Sequence, residues 1–425
     1  MAQRRIPAVA RQVSPLHLFA GEFIRAQSLR SWKCSLRAIG SRKIPRDCKP
    51  FRDNHQMDKA NVVIIGGGVV GCAIARALSA RWDDVFVLEA MPRVGMGAST
   101  RNSGVIHAGI YYPPGSLKAR HCLRGNRLTY EFCAAHGVPY RNTSKLVVAV
   151  NESQERQLSA LMENGRKNGV EDMRIIDSAA IRAREPHIEA MQAIEVPSSG
   201  IVSSEELVKA YARIATEQDT HIVTHAKVER VEAHKDGVRV VSEAGEIEAL
   251  CLVNSAGLFA DEVAVMMGSS LARHRIWPVR GEYCEVVRAR SDLIRGLVYP
   301  LPHADGLSLG VHLTKTLWGT VLVGPTARYV DDKNDYERDR EPVEDFAKNA
   351  KCLLPELEVA DLVPAYSGIR AKLTPPNEHG IADFIITRDP ELSNVIQLIG
   401  IDSPGLTSAP AIAEHVLGLA QEILD

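Results

Sequence analysis

The chain has 425 residues, and a length prior of roughly 100 to 200 residues per domain implies two or three domains. Hydrophobic residues make up 45% and charged residues 24%, with 31 Gly and 22 Pro, which excludes collagen-like, coiled-coil and disordered chains. The formal net charge of -1 gives no footprint for nucleic acid, and no apolar run reaches the ~18 residues of a membrane span. The charge is unevenly spread. Residues 1 to 50 carry eleven Lys and Arg against Glu22 and Asp47, a net +9, so the remainder carries -10. This basic, acid-poor leader, residues 1–56, is set apart from the fold. Two readings stand: a transit peptide for an organelle, or upstream sequence ahead of a true start at Met57. The first places the protein in the mitochondrion, the second in the cytoplasm with room for peripheral contact at the inner membrane. Pro7, Pro15, Gly21, Gly40 and Pro45 interrupt any amphipathic period, and no continuous apolar stretch suits secretion. The eight cysteines, Cys34, Cys48, Cys72, Cys122, Cys133, Cys251, Cys284 and Cys352, include no Cys-x-x-Cys pair. They read as buried free thiols, with no metal site expected.

The first element after the leader is the apolar run 62–65, VVII, typical of a parallel strand buried on both faces. It stops at Gly66, Gly67 and Gly68, and a helix follows with apolar positions Val69, Val70, Ala73, Ile74, Ala77 and Leu78. Gly66, Gly68 and Gly71 make a G-x-G-x-x-G turn between strand and helix. Gly66 permits the tight turn, Gly68 lets a pyrophosphate approach, Gly71 lets helix and strand pack closely, and the helix N-terminus stabilises phosphate. A second strand, 85–88, ends at Glu89, 23 positions past Gly66, near the spacing of an acid that binds an adenosine ribose. This order of elements predicts dinucleotide binding, and the acid favours an unphosphorylated ribose, as in FAD or NAD.

Residues 97–112, GASTRNSGVIHAGIYY, form a polar, glycine-punctuated loop where a simple dehydrogenase would continue with a strand and helix. With the glycine turn, this block resembles the D-amino-acid-oxidase-like FAD oxidoreductases. The longer segment 99–126 is similar to the branch that oxidises L-2-hydroxyglutarate. Further matching segments are NSAGLFAD at 254, PVRGEY at 278, LGVHLT at 309, GPTA at 324, SGIRAKL at 367 and GIDSPGLTSAPAIAEHV at 400. The resemblance runs from about residue 58 to the C-terminus. It implies FAD as cofactor and an α/β fold, in which a Rossmann-like FAD-binding domain is interleaved with a mixed-sheet α+β substrate domain. The FAD-binding domain is expected over 57–143, 199–271 and 363–425, and the substrate domain over 144–198 and 272–362.

The resemblance implies that Ser99, Thr100, Asn102 and Ser103 bind the cofactor and that the Val228 backbone meets the adenine. Residues 221–250 read as a meander of short strands, HIVTH, KVERVEAH, VRVVSE and EIEAL, with turns at Asp236-Gly237 and Ala244-Gly245. The next run, CLVNSAG, is a buried strand ending in small residues, so Ala256 and Gly257 are candidates for close backbone approach to the cofactor. Near the C-terminus, Gly400, Pro404 and Gly405 fix a loop before a helix expected to begin near Thr407. In the family this loop and helix, here Gly400, Gly405, Leu406 and Thr407, meet the flavin ring and stabilise negative charge on it.

The substrate half reads as strands KLVVAV, VRGEYCEVV, LSLGVHL and TVLVG with a polar helix at 152–168, and Ser203 or Ser204 caps a helix returning to the first domain. The segment 329–345, YVDDKNDYERDREPVED, reads as a solvated charged loop and helix start. Oxidation of a 2-hydroxy acid needs a base for the hydroxyl proton and fixed cations for carboxylate. His107 is the candidate base and His312 resembles a second active-site histidine. Arg280 and Arg370 are the candidate carboxylate ligands, with Lys372 on the same side of the strand as Arg370. Tyr283 and Tyr366 are candidates for hydrogen bonds to substrate. The expected activity is FAD-dependent oxidation of L-2-hydroxyglutarate to 2-oxoglutarate, with oxygen or a quinone-linked chain as electron acceptor. The rival enzyme reading is another branch of the family acting on an amino acid, a secondary amine or glycerol 3-phosphate. A non-catalytic FAD-binding protein is the reading from another class.

Overall fold

A computed structural model describes residues 58–234, 236–302 and 310–425, which belong to one compact unit. The basic leader lies outside the described residues. The first sheet has eight strands built around Asp58–Ile65, which pairs in parallel with Val85–Leu88 on one side and Gly245–Asn254 on the other. Val62 and Ile64 face one apolar cluster and Val63 and Ile65 another, so the strand is buried on both faces, and this is why it reads as a continuous apolar run. The helices Val69–Leu78, Ser204–Glu217 and Gly405–Leu424 cover one face. The meander covers the far edge and part of the other.

The meander differs from its expected form at both ends. His221–Val223 is a short parallel strand beside Val85–Leu88, at the opposite edge of the sheet. EIEAL and CLVN are one ten-residue strand, Gly245–Asn254, antiparallel to Gly237–Ser242 and parallel to Asp58–Ile65. Val395–Ile399 joins the far half of the same strand in parallel.

The second sheet has nine strands, and near one edge Trp277–Val286 takes Leu362–Lys372 as its long partner. It also takes Lys145–Ala149, Gln192–Val196, Leu297–Pro300 and His312–Lys315 from separate stretches of the chain. Leu362–Lys372 falls almost wholly within the segment expected in the dinucleotide half, yet nine of its residues pair with Trp277–Val286. A third sheet joins Val105–Ile106, Gly200–Val202 and Tyr140–Asn142. It threads through the polar block and carries the chain between the two larger sheets. Ser203 caps Ser204–Glu217, its hydroxyl accepting the Glu206 N–H at 3.4 Å. The thiols Cys72, Cys122, Cys133, Cys251 and Cys284 are buried and free, whereas Cys352 is exposed.

Candidate active site

The strand-to-helix turn has the geometry its glycines were read for. Gly66 has φ +101°, and a side chain there would meet the Ser255 carbonyl at 2.6 Å. At Gly71 a Cβ would lie 1.9 Å from the Gly66 carbonyl, so helix and strand approach as only glycine permits. The first intrahelical bond runs from Cys72 N–H to Gly68 at 2.9 Å, leaving earlier N–H groups for other partners. One is already used: Val69 N–H donates to Ser99 Oγ at 2.8 Å. Glu89 accepts the N–H groups of Gly67 at 2.7 Å and Met91 at 2.8 Å. Burial pushes its carboxyl up, against the lowering effect of the N–H groups of Met91, Gly67 and Ala90.

The turn opens into a cavity of about 780 Å³ that extends to the second sheet. Gly66, Gly68, Gly71, Glu89, Ser99, Val228, Ala256 and Gly257 line one part, and Asn102, Ser103, Gly405 and Leu406 line it as well. A long slot with a glycine turn, a helix N-terminus and a carboxylate at one end fits a dinucleotide of the FAD or NAD type. Three expected cofactor ligands are not in its wall. Thr100 Oγ1 donates to the Gly95 carbonyl at 2.8 Å and closes the loop on itself. Gly400 turns the chain with φ +75° beneath Leu373. Thr407 is 1% exposed because the C-terminal helix starts at Gly405, two residues earlier than expected, which brings Gly405 and Leu406 to the cavity instead.

Thr407 has another task. Its Oγ1 accepts the His107 N–H at 3.0 Å and donates to the Val105 carbonyl at 3.3 Å. Asn126 Nδ2 holds the His107 carbonyl at 2.9 Å, so the main chain of His107 is clamped on both sides. The His107 ring lines the cavity, and its buried Nδ1 has no hydrogen-bond partner. Burial, then the charge of Lys145, push the imidazole down to about 3, so it is neutral near physiological pH. His312 lines the same cavity and stacks on Tyr299, ring centroids 3.6 Å apart.

The two candidate arginines part company here. Arg370 lines the cavity, its Nη1 donating to the Thr326 carbonyl at 3.1 Å and its other guanidinium N–H groups finding no acceptor among the described residues. Room for this side chain comes from Gly281, where a Cβ would lie 2.9 Å from both Nη atoms. In PVRGEY the residue that serves the cavity is therefore the glycine. Arg280 is fully buried behind it and does not line the cavity. Its guanidinium bonds Glu282 at 2.9 Å, Asp335 at 3.0 Å and the main-chain carbonyls of Asp335, Arg338 and Asp339. With its donors directed to these partners, Arg280 is a structural anchor and not a substrate ligand. The charged loop that supplies them is correspondingly not a merely solvated one, and its Tyr336 lines the cavity under the Arg101 guanidinium, 4.3 Å from the ring centroid.

Tyr283 also lines the cavity, whereas Tyr366 packs on it and donates its hydroxyl to the Asn102 carbonyl at 2.7 Å. Lys372 lies in the cavity wall with Arg370. Among the lining residues not foreseen are Tyr111, Tyr299, Tyr336 and Lys118. Lys118 lines the cavity with its ion-pair partner Asp402, 2.5 Å away and nearly buried. Single tyrosines and lysines carry no spacing signal, although Tyr111 and Lys118 fall inside the 99–126 segment.

Comparison with known proteins identifies what the chain is similar to. A family model described as FAD dependent oxidoreductase matches residues 61–419. The L-2-hydroxyglutarate dehydrogenase of Escherichia coli is 33% identical over 398 residues, 85% of this chain and 93% of that protein. The mitochondrial L-2-hydroxyglutarate dehydrogenase of Arabidopsis thaliana is 33% identical over 422 residues, 88% of this chain and 86% of that protein. Among solved structures, the FAD-bound L-alpha-glycerophosphate oxidase of Mycoplasma pneumoniae superposes with a TM-score of 0.78 at 27% identity, covering 86% of this chain and 95% of that one.

Proposed function

The chain belongs to the family of FAD-dependent oxidoreductases, and from that membership we propose that it oxidises L-2-hydroxyglutarate to 2-oxoglutarate. The observation that carries the reading is one cavity holding a dinucleotide turn at one end, with a neutral histidine and an incompletely bonded guanidinium also in its wall. FAD, when bound, supplies a ring that accepts the carbon-2 hydrogen as hydride. The chain supplies binding, orientation and proton handling. Gly66 and Gly68 admit the pyrophosphate, Gly71 lets the helix pack on the strand, and Glu89 takes the adenosine ribose. Val228, Ala256 and Gly257 meet the adenine half, Ser99 stands beside the glycine turn at the pyrophosphate, and Asn102, Ser103, Gly405 and Leu406 meet the ring. In this reading residues 58–143, 199–271 and 373–425 hold the cofactor, and the second sheet, now including Leu362–Lys372, holds the substrate.

His107 takes the hydroxyl proton as the carbon-2 hydrogen leaves. Its ring enters neutral, and the clamp from Thr407 and Asn126 fixes its direction. Arg370 offers a planar fork to a carboxylate, and His312 and Tyr283 orient the hydroxy acid beside it. The relatives are named dehydrogenases, which favours an electron acceptor other than oxygen, a quinone-linked chain reached by peripheral contact with a membrane. No helix among the described residues is long and apolar enough to cross one. Reduction of a soluble quinone, compared with oxygen consumption, tests the acceptor. A bacterial and a mitochondrial relative match equally well, so the compartment, cytoplasm or mitochondrion, turns on the leader.

The test of the reaction is anaerobic flavin absorbance on mixing with L-2-hydroxyglutarate, its D-enantiomer, sarcosine, D-alanine and glycerol 3-phosphate separately. Bleaching by the L-hydroxy acid alone is expected. Bleaching by an amine or by glycerol 3-phosphate instead would replace the substrate, and a flavin that no compound reduces would make the protein a non-catalytic binder. His107→Asn is expected to slow bleaching ~10²- to 10⁴-fold with flavin content unchanged.

A further inference from the structure

Behind the wall formed by Tyr111 and Tyr299 lies a charged group that the oxidation leaves unused. Lys145 opens the strand Lys145–Ala149, is 1% exposed, and its Nζ has no hydrogen-bond partner among the described residues. It does not line the cavity, whereas Tyr111, Tyr299, His107 and His312 do. The Nζ atom lies 4.6 Å from the Tyr111 ring centroid and 4.8 Å from that of Tyr299. His312 stacks on Tyr299 within 12° of parallel, so it covers one face of that ring and leaves the other to Lys145.

The groups facing Lys145 carry no compensating charge. Tyr111 comes from the loop after Val105–Ile106, Tyr299 from Leu297–Pro300 and Cys122 from Leu117–His136, and burial pushes all three up, so they stay neutral. His107 is pushed down and is also neutral. The neighbouring strand offers Glu195, but that residue is paired in register with Leu146, on the opposite face, and is bound by Arg174 and Arg184. An ammonium buried against two ring faces alone is under-compensated, since ring quadrupoles offset only part of the lost hydration.

We propose that Lys145 is a positioning residue for substrate charge: its ammonium, concealed behind Tyr111 and Tyr299, is the counter-charge that a dicarboxylate entering in front of the Tyr111 ring completes. The inference rests on the 2-hydroxy diacid reading above. Burial pushes the Lys145 amine down to about 7, against the raising effect of Cys122, so near neutrality the free protein holds it part protonated. An anion placed across a ring favours the charged form, and the amine takes up a proton from solvent as the diacid binds. Affinity is then highest at low pH and falls as pH rises past about 7. Two charges about 8 Å apart at an effective dielectric of about 20 make the effect roughly 10- to 30-fold in affinity.

The test titrates glutarate, a five-carbon dicarboxylate with no hydroxyl to oxidise, into the flavin-loaded full-length protein from about pH 6 to 9. Flavin absorbance reads binding, and an indicator dye in weak buffer reads protons. Wild type is expected to bind roughly 10- to 30-fold more weakly at the upper end and to take up a fraction of a proton at about pH 8. Lys145→Met is expected to bind about as weakly at every pH as wild type does at the upper end, with no uptake. A variant that matches wild type in affinity and uptake overturns the proposal and leaves the substrate reading standing. Should Lys145→Met not fold, wild type still decides, because glutarate binding with no proton uptake overturns the proposal by itself. Wild type that neither binds glutarate nor is bleached by L-2-hydroxyglutarate overturns both.

Discussion

Arg370 and Gly281 act as one unit, because the guanidinium occupies the volume that any side chain at 281 would fill. Arg370→Lys removes the planar fork while keeping the charge, and binding of L-2-hydroxyglutarate is expected to weaken roughly 10- to 100-fold, about 1.5–3 kcal/mol for a charge-assisted bond. Flavin content should not change, and a titration of bleaching against substrate concentration checks both. Lys145 predicts a pH dependence of stability. Its amine is pushed from the ordinary 10.5 down to about 7, so between those values the unfolded chain holds a proton that the native protein lacks. Stability therefore rises with pH across that window, is fully gained above about 10.5, and is lost as pH falls through about 7. Above about pH 9 the buried thiols of Cys72, Cys122, Cys133 and Cys251, pushed up to about 12, act in the opposite direction, so thermal melts of wild type should show the rise between about pH 7 and 9, and Lys145→Met should flatten it there. At this scale the sequence pointed to His107, His312 and Arg370, which stand in motif blocks and line the cavity. It pointed equally to Arg280, which does not, because two arginines beside glycines look alike until their neighbours are known.

The glycine turn is the element whose sequence and geometry agree most closely. Strand, three glycines, helix, second strand and acid are local in the chain, and each requirement is steric or set by one backbone direction. Gly71→Ala would set a methyl group 1.9 Å from the Gly66 carbonyl, so helix and strand must separate. The expected cost is ~1–3 kcal/mol of stability together with loss of bound flavin, read by denaturant unfolding and by the flavin-to-protein absorbance ratio. The C-terminal helix shows what element-level reading misses. A start near Thr407 is two residues late, since Gly405 N–H already bonds the Asp402 carbonyl at 2.6 Å and Ser408 N–H that of Pro404 at 2.9 Å. That shift turns Thr407 from an expected cofactor ligand into the clamp on His107. Helix boundaries depend on which carbonyls a loop presents, and composition does not record that.

Over the whole molecule, the second sheet is assembled from distant stretches, and its Trp277–Val286 end is held by the buried ion network of Arg280, Glu282, Asp335 and Arg340. Arg280→Met leaves Glu282, 1% exposed, without its closest cation, and a loss of ~3–5 kcal/mol is expected by chemical denaturation. Folded, flavin-loaded molecules of this variant should keep the substrate affinity of wild type, which separates an anchor from a ligand. Lys145 and its two rings come together only in this assembly: the lysine, Tyr111 and Tyr299 lie on a strand, a loop and another strand, with Tyr299 154 positions after Lys145. The sequence by itself determined the cofactor class, the buried parallel strand and the family, because these rest on short-range patterns of apolar run, glycine and acid that a few adjacent residues carry. Only the tertiary structure decided which arginine faces the cavity, where Leu362–Lys372 pairs and which charge is sealed behind the wall, because burial and partner choice are properties of residues brought together from far along the chain.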